Sequence, residues 1–222
     1  MSQFTLPGFE RAPEPPARPK GSPQPTPQAK PPRKFGGLKD RLFFGIRLAA
    51  QAAYSARQTA WNLRNRHHLK SWPQQSSMLH VMLRHVGDFN GFPGGLIEKV
   101  TEAAASVRAR PFEVAFDRVT SFRSCIVLTG DDGAAGVRRL ENALSEALEK
   151  GRIREPSRSF NPHIALMYEK TPIPTEPLRQ PVRWKVEEFV LIHSLLSQSK
   201  HVVLQTFPLG GGPREFTSWP SP

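Results

Sequence analysis

Two short segments of this chain echo each other. Leu79-His80-Val81-Met82-Leu83 and Pro162-His163-Ile164-Ala165-Leu166 each place a histidine before a β-branched residue, any residue and a leucine. An imidazole titrates at about 6.5 when unperturbed, so it can take or give a proton near neutral pH. Two imidazoles set across a groove suit acid–base cleavage of a cyclic phosphodiester. One takes a proton from the attacking water, and the other delivers a proton to the departing ribose oxygen. That chemistry needs no metal. The spacing also does not suit zinc, since there is neither a cysteine cluster nor an i, i+4 histidine pair on a helix.

Such histidines have to be positioned by strands. In a strand, side chains alternate between faces, so His80 shares a face with Met82, and His163 with Ala165. Val81 with Leu83, and Ile164 with Leu166, then pack inward against helices. The same parity puts Arg84 on the face of His80, where a guanidinium would suit a phosphate. It excludes His85 from the cleft and places Tyr168 with Ile164, away from the substrate unless the strand bends or ends there. Lys170 reads as surface. His193 and His201 read as packing or edge residues, and His67 and His68 as the cationic end of a helix, where they complement its dipole.

The remaining pattern supplies the frame. Arg41–Ile46 is a short β-type run, and Ala49–Arg66 turns helical. Ser77–Val86 reads as a strand, and Leu96–Arg108 as a helix after the loop Gly91-Phe92-Pro93-Gly94-Gly95. Phe112–Phe116 and Cys125–Leu128 are strand-like. Gly130-Asp131-Asp132-Gly133 is a turn, and one of its aspartates can cap a helix running to about Lys150. His163–Met167, Val182–Leu195 and His201–Phe207 complete the strands. Strands alternating with helices indicate an α/β (α+β) domain whose closing strands add antiparallel pairs.

Composition narrows the setting. The chain has 222 residues, a net charge of +12 and 23 prolines. The positive charge favours polyanionic partners such as nucleic acid. Residues 1–38 hold proline after proline between lysines and arginines, with too little apolar surface to offset the entropy of ordering. They read as a basic tail, leaving residues 39–222 as the folded domain. The lone cysteine, Cys125, excludes an intramolecular disulfide and reads as a buried structural thiol. No apolar stretch approaches a membrane span and no secretory h-region opens the chain, so a cytoplasmic setting is expected.

Taken with their flanks, these motifs resemble the 2H phosphoesterase superfamily, in its bacterial 2′-5′ RNA ligase or RNA 2′,3′-cyclic phosphodiesterase branch. Asp40-Arg41-Leu42-Phe43-Phe44 is similar to that family's opening strand. Leu79–Asp88 and Phe160–Leu166 are similar to its paired histidine motifs, and Trp184–Leu191 with His193-Ser194 to its closing strand. The resemblance implies a bilobal fold with pseudo-twofold symmetry, two antiparallel-rich sheets lining a central cleft and helices outside. It implies His80 as proton donor to the leaving 3′-oxygen and His163 as base for water, no cofactor and no metal. The implied partner is RNA with a 2′,3′-cyclic phosphate end or a cyclic nucleotide, and the expected state is a monomer. It also implies that Met82, Ala165 and Tyr168 border the substrate, beside Arg84, which strand parity puts there to compensate for the missing donors.

One departure stands out. The family motif is His-x-Thr-x, and here Met82 and Ala165 occupy both threonine positions. Neither side chain donates a hydrogen bond to phosphate, and a charged bond of that kind is worth roughly 1.5–3 kcal/mol. Two readings follow: an enzyme that opens the terminal cyclic phosphate of RNA, with 2′-5′ ligation as a side activity, or a degenerate member that binds RNA or nucleotide without turnover.

Overall fold

The computed structural model describes residues 39–153 and 159–210, so the tail expected over residues 1–38 lies outside the described residues. The described chain runs β1 (Asp40–Arg47), α1 (Ala50–Arg66), β2 (His80–Phe89), α2 (Gly94–Ala105), β3 (Phe112–Phe122) and β4 (Cys125–Thr129). It continues through α3 (Ala135–Lys150), β5 (His163–Met167), β6 (Glu176–Val186), β7 (Glu188–Leu195) and β8 (Lys200–Pro208).

The strands order as β6-β3-β4-β5-β2-β1-β7-β8, with every registered pair antiparallel. The order reads as two halves, β6-β3-β4-β5 and β2-β1-β7-β8, joined edge to edge through β5 and β2. A single registered pair, Val81 opposite Ile164, makes that junction. The expected two sheets are thus two halves of one open sheet. In each half a strand, a helix and a second strand antiparallel to the first follow in order: β1-α1-β2 and β4-α3-β5. That repeat is the pseudo-twofold.

Apolar alternation decides which face is covered. Leu42, Phe44 and Ile46 of β1, Val81 and Leu83 of β2, and Ile164 and Leu166 of β5 are all buried in one large core with the helices. Helix α1 contributes small residues, Ala52, Ala53, Ala56 and Ala60, ahead of Leu63, which lets it lie close to the sheet. Emptying one aromatic site here, Phe44→Ala, would cost about 3–5 kcal/mol. A much smaller apolar group, Phe43, Val190 and Ile192 with Met82 against it, sits on the opposite face, the one expected to line the cleft.

Three local expectations are corrected. Val182–Leu195 is two strands rather than one: β6 pairs with β3 and β7 with β1, and Glu187 alone hands the chain from one half to the other. Helix α3 has Ala134 at its N-cap position and no side-chain cap, and the Asp131 carboxylate instead accepts from Arg118 at 3.0 Å. Cys125 is only part-buried, its Sγ directed at the Ile126 carbonyl.

Candidate active site

His80 and His163 open β2 and β5, the strands that join the halves. Extending the Val81–Ile164 register by one residue each way sets His80 opposite Ala165 and Met82 opposite His163. Directly opposite residues share a face, so these four side chains lie together on the face expected to line the cleft. Both imidazoles are oriented in the same way. Nδ1 of His80 meets the Met78 carbonyl and Nδ1 of His163 meets the Asn161 carbonyl, each at 2.8 Å. A carbonyl only accepts, so Nδ1 carries the proton in each ring, and the Nε2 lone pair is the reactive position when the ring is neutral.

The surroundings of the two rings differ. His80 packs against Phe43, ring centroids 4.8 Å apart, and edge-on against His201 at 5.0 Å. This burial drives its pKa down to about 4, helped by the charges of His163 and Arg41, while the Met78 carbonyl works against the fall. His80 is therefore neutral at pH 7. His201 is pushed down to about 4 by burial and then by His80. His163 has Phe122 beside it at 5.9 Å and Thr129 opposite it on β4.

His201, by its pattern an edge residue, is brought into the site by the structure. It lies opposite Ser194 on β8, and Ser194 lies opposite Arg41, so one row crosses from the outer strand to β1. Nothing local to His201 signals this. The pairing of β8 with β7 and of β7 with β1 puts it there.

Arg84 departs from expectation for a geometric reason. The β1–β2 register steps between Phe44 and Gly45, so that Gly45 faces Met82 but Phe44 faces Arg84. One extra residue on β2 reverses parity beyond it. Arg84 accordingly joins Phe44 on the helix side, where Nη1 donates to the Glu141 carboxylate of α3 at 3.2 Å. His85, excluded by simple alternation, pairs with Phe43 on the cleft side instead. A matching step on β5, between Ile126 and Val127 of its β4 partner, buries both Leu166 and Met167. Tyr168 then follows as an exposed residue close enough to Arg41 to favour that guanidinium's charge. The two bulges are pseudo-equivalent: His85 and Tyr168 occupy matching places, as do Arg84 and Met167.

The cleft also acquires a fixed cation. Nε and Nη2 of Arg41 each donate to Asp88 at 2.7 Å, and His85 Nε2 contacts the same carboxylate at 2.9 Å. The Arg41 bonds, outweighing burial and aided by His85, hold the Asp88 carboxyl down to about 2. A bidentate partner fixes the plane of the guanidinium and leaves its remaining N–H groups for an anion. His193 belongs to the other side of the sheet, opposite Leu42, with Nε2 at 2.7 Å from Asp40. Burial alone would raise the Asp40 carboxyl, but His193 and the Gly91 amide outweigh it and leave the pKa lowered. His67 closes α1, and Lys170 is exposed. Among the described residues no group of three or more His, Cys, Asp or Glu side chains is placed to hold a metal ion. No helix among them is long and apolar enough to cross a membrane.

Fold and paired histidines together define a class, the 2H phosphoesterases. The family model described as the 2′-5′ RNA ligase superfamily matches residues 54–197. Among solved structures, E. coli LigT complexed with 3′-AMP aligns with a TM-score of 0.65 at 21% identity, covering 78% of this chain and 99% of that one. LigT in its apo form gives 0.63 at 22% identity with the same coverage. A Thermus thermophilus protein gives 0.59 at 21%, covering 76% and 97%. A comparison with curated protein sequences gives no significant match. The chain belongs to the 2′-5′ RNA ligase superfamily.

Proposed function

We propose that this protein opens the terminal 2′,3′-cyclic phosphate of an RNA to a 2′-phosphate by two-histidine acid–base catalysis. The observation that carries the reading is the matched pair of imidazoles. Each is locked by the same Nδ1–carbonyl bond and presents Nε2 from either side of the Val81–Ile164 junction. The net charge of +12 fits an RNA substrate, and LigT, of the same fold, has been crystallised with 3′-AMP and with phosphate.

The surroundings favour His80 as the base, the reverse of the family-based assignment. Its burial keeps Nε2 unprotonated at neutral pH, the state needed to accept a proton from water. Water oxygen then bonds to phosphorus, the phosphorus–O3′ bond breaks, and His163 delivers its Nε2 proton to O3′. With the 5′-hydroxyl of a second RNA in place of water, the same groups would join it to phosphorus as O3′ leaves, giving a 2′-5′ linkage. With Met82 and Ala165 lacking hydroxyls, the non-bridging phosphate oxygens fall to Arg41, held by Asp88, and to Thr129 beside His163. Arg84 has no part in this, and Tyr168 borders the substrate from the end of β5.

The missing hydroxyls favour a second reading, an RNA- or nucleotide-binding protein without turnover. Incubating the protein with a short RNA ending in a 2′,3′-cyclic phosphate, in the presence of a chelator, separates the two. Mass spectrometry showing gain of one water and a 2′-phosphate supports hydrolysis. Retained binding with no conversion supports the second reading.

A further inference from the structure

The connection that follows α1 carries a second feature outside the histidine cleft. Trp72 is 51% exposed, and its ring lies edge-on to Trp61 of α1 with centroids 5.4 Å apart. The Arg64 guanidinium stacks over Trp72 at 4.4 Å and reaches Trp61 at 5.7 Å. Its Nε donates to the Ser71 carbonyl at 3.2 Å, with no acidic partner among the described residues. Helix α1 contains no aspartate or glutamate, and Arg57 and the 59%-exposed Tyr54 lie on its solvent side. An arginine stacked on a half-exposed indole, with a second indole edge-on beside it, is chemistry for a stacked base and its phosphate.

This platform is fixed to the end of the catalytic strand. Ser71 Oγ donates to the Tyr168 carbonyl at 2.5 Å, and the Gln74 amide to the Leu166 carbonyl at 2.7 Å. The buried Glu169 carboxylate accepts from the amides of Lys70, Ser71 and Thr171 at 3.1, 3.0 and 3.0 Å. The residues after α1 are thus laced alongside β5, immediately beyond Tyr168, which borders the cleft. A polynucleotide leaving the cleft past Tyr168 meets Trp72 next.

We propose that Trp72, Arg64 and Trp61 form an accessory RNA surface that stacks a nucleotide upstream of the reacting end, so that the substrate is an RNA strand rather than a cyclic mononucleotide. This rests on the reading of the cleft as a site for phosphorylated RNA ends. Charge supports it, since the surface is cationic and no carboxylate of its own helix opposes a phosphate.

Binding decides the matter without needing turnover. The full chain is titrated with a short oligoribonucleotide ending in a 2′-phosphate and with a nucleoside 2′-monophosphate. The parent should bind the oligonucleotide at least about tenfold more tightly, and Trp72→Ala should lose about that factor on the oligonucleotide only. Trp72→Phe, which keeps a stacking ring, should restore most of it, with melting temperatures unchanged among the three. Equal losses on both ligands would overturn the proposal and make Trp72 a brace for the Tyr168 strand. No parental preference for the oligonucleotide, or no loss in Trp72→Ala, would overturn it as well. If oligonucleotide discrimination appears without turnover, the hydrolytic reading falls and the surface stands. If turnover appears without discrimination, the hydrolytic reading stands and the surface falls.

Discussion

Replacing His201 with alanine should move the protonation of His80. The imidazole of His80 is faced by His201 from β8 and Phe43 from β1, by His163 from β5, and more distantly by Arg41 from β1. Burial is the largest influence holding its pKa at about 4, and His201 supplies one wall of that burial. If removing this wall relieves about half of the fall from 6.5, the midpoint rises to roughly 5–5.5. At pH 5 the neutral fraction of His80 then drops from about 90% to about 35%, so kcat/KM falls two- to threefold there while remaining unchanged at pH 8. The assay is the pH profile of kcat/KM on a cyclic-phosphate oligonucleotide, together with NMR titration of the His80 ring in the free protein. An acid limb that stays in place in both measurements would refute the claim that His201 shields His80.

Other expectations follow from the same geometry. Met82→Thr with Ala165→Thr restores donors on the cleft floor and should raise kcat/KM about tenfold or more, read by steady-state kinetics. Arg84→Met, which matches Met167 in the other half, should leave kcat/KM within about twofold while lowering stability by about 1–3 kcal/mol in denaturant titration, because the buried Glu141 carboxylate loses its cationic partner and keeps only the Ser145 hydroxyl. Acid should destabilise the fold in two stages. The pKa values of His80 and His201 are depressed in the folded state, so the unfolded chain binds more protons and stability falls between about pH 6.5 and 4. Glu169, held at about 2 by the Thr171 and Ser71 amides, adds a further loss from about pH 4.5 downward. Melting temperature measured across pH checks both windows.

Much of this site is legible in two strands. The His, β-branched, any, Leu pattern at His80 and His163 follows from period-two alternation, and the structure turns Val81 and Ile164 inward as that rule requires. Where the rule fails, an inserted residue is responsible. After Met82 and Ala165 the bulged strands themselves carry no glycine or proline to announce the extra residue, and the glycine at the first step, Gly45, lies on the partner strand, so simple alternation puts Arg84 on the cleft side and leaves His85 off it. Glu187 likewise breaks an extended run with no turn residue, because the chain stays extended while changing partners. His201 and Arg41 reach His80 through long-range pairing of β8, β7 and β1, and no local pattern encodes which strands become neighbours.

The central claim is that two imidazoles share the work on one phosphodiester. Its most direct measurement compares the parent with His80→Ala and His163→Ala on the same cyclic-phosphate RNA under single-turnover conditions. Each variant should keep the parent's melting temperature and lose at least about a hundredfold in rate. A variant that folds and retains the parental rate would contradict the claim.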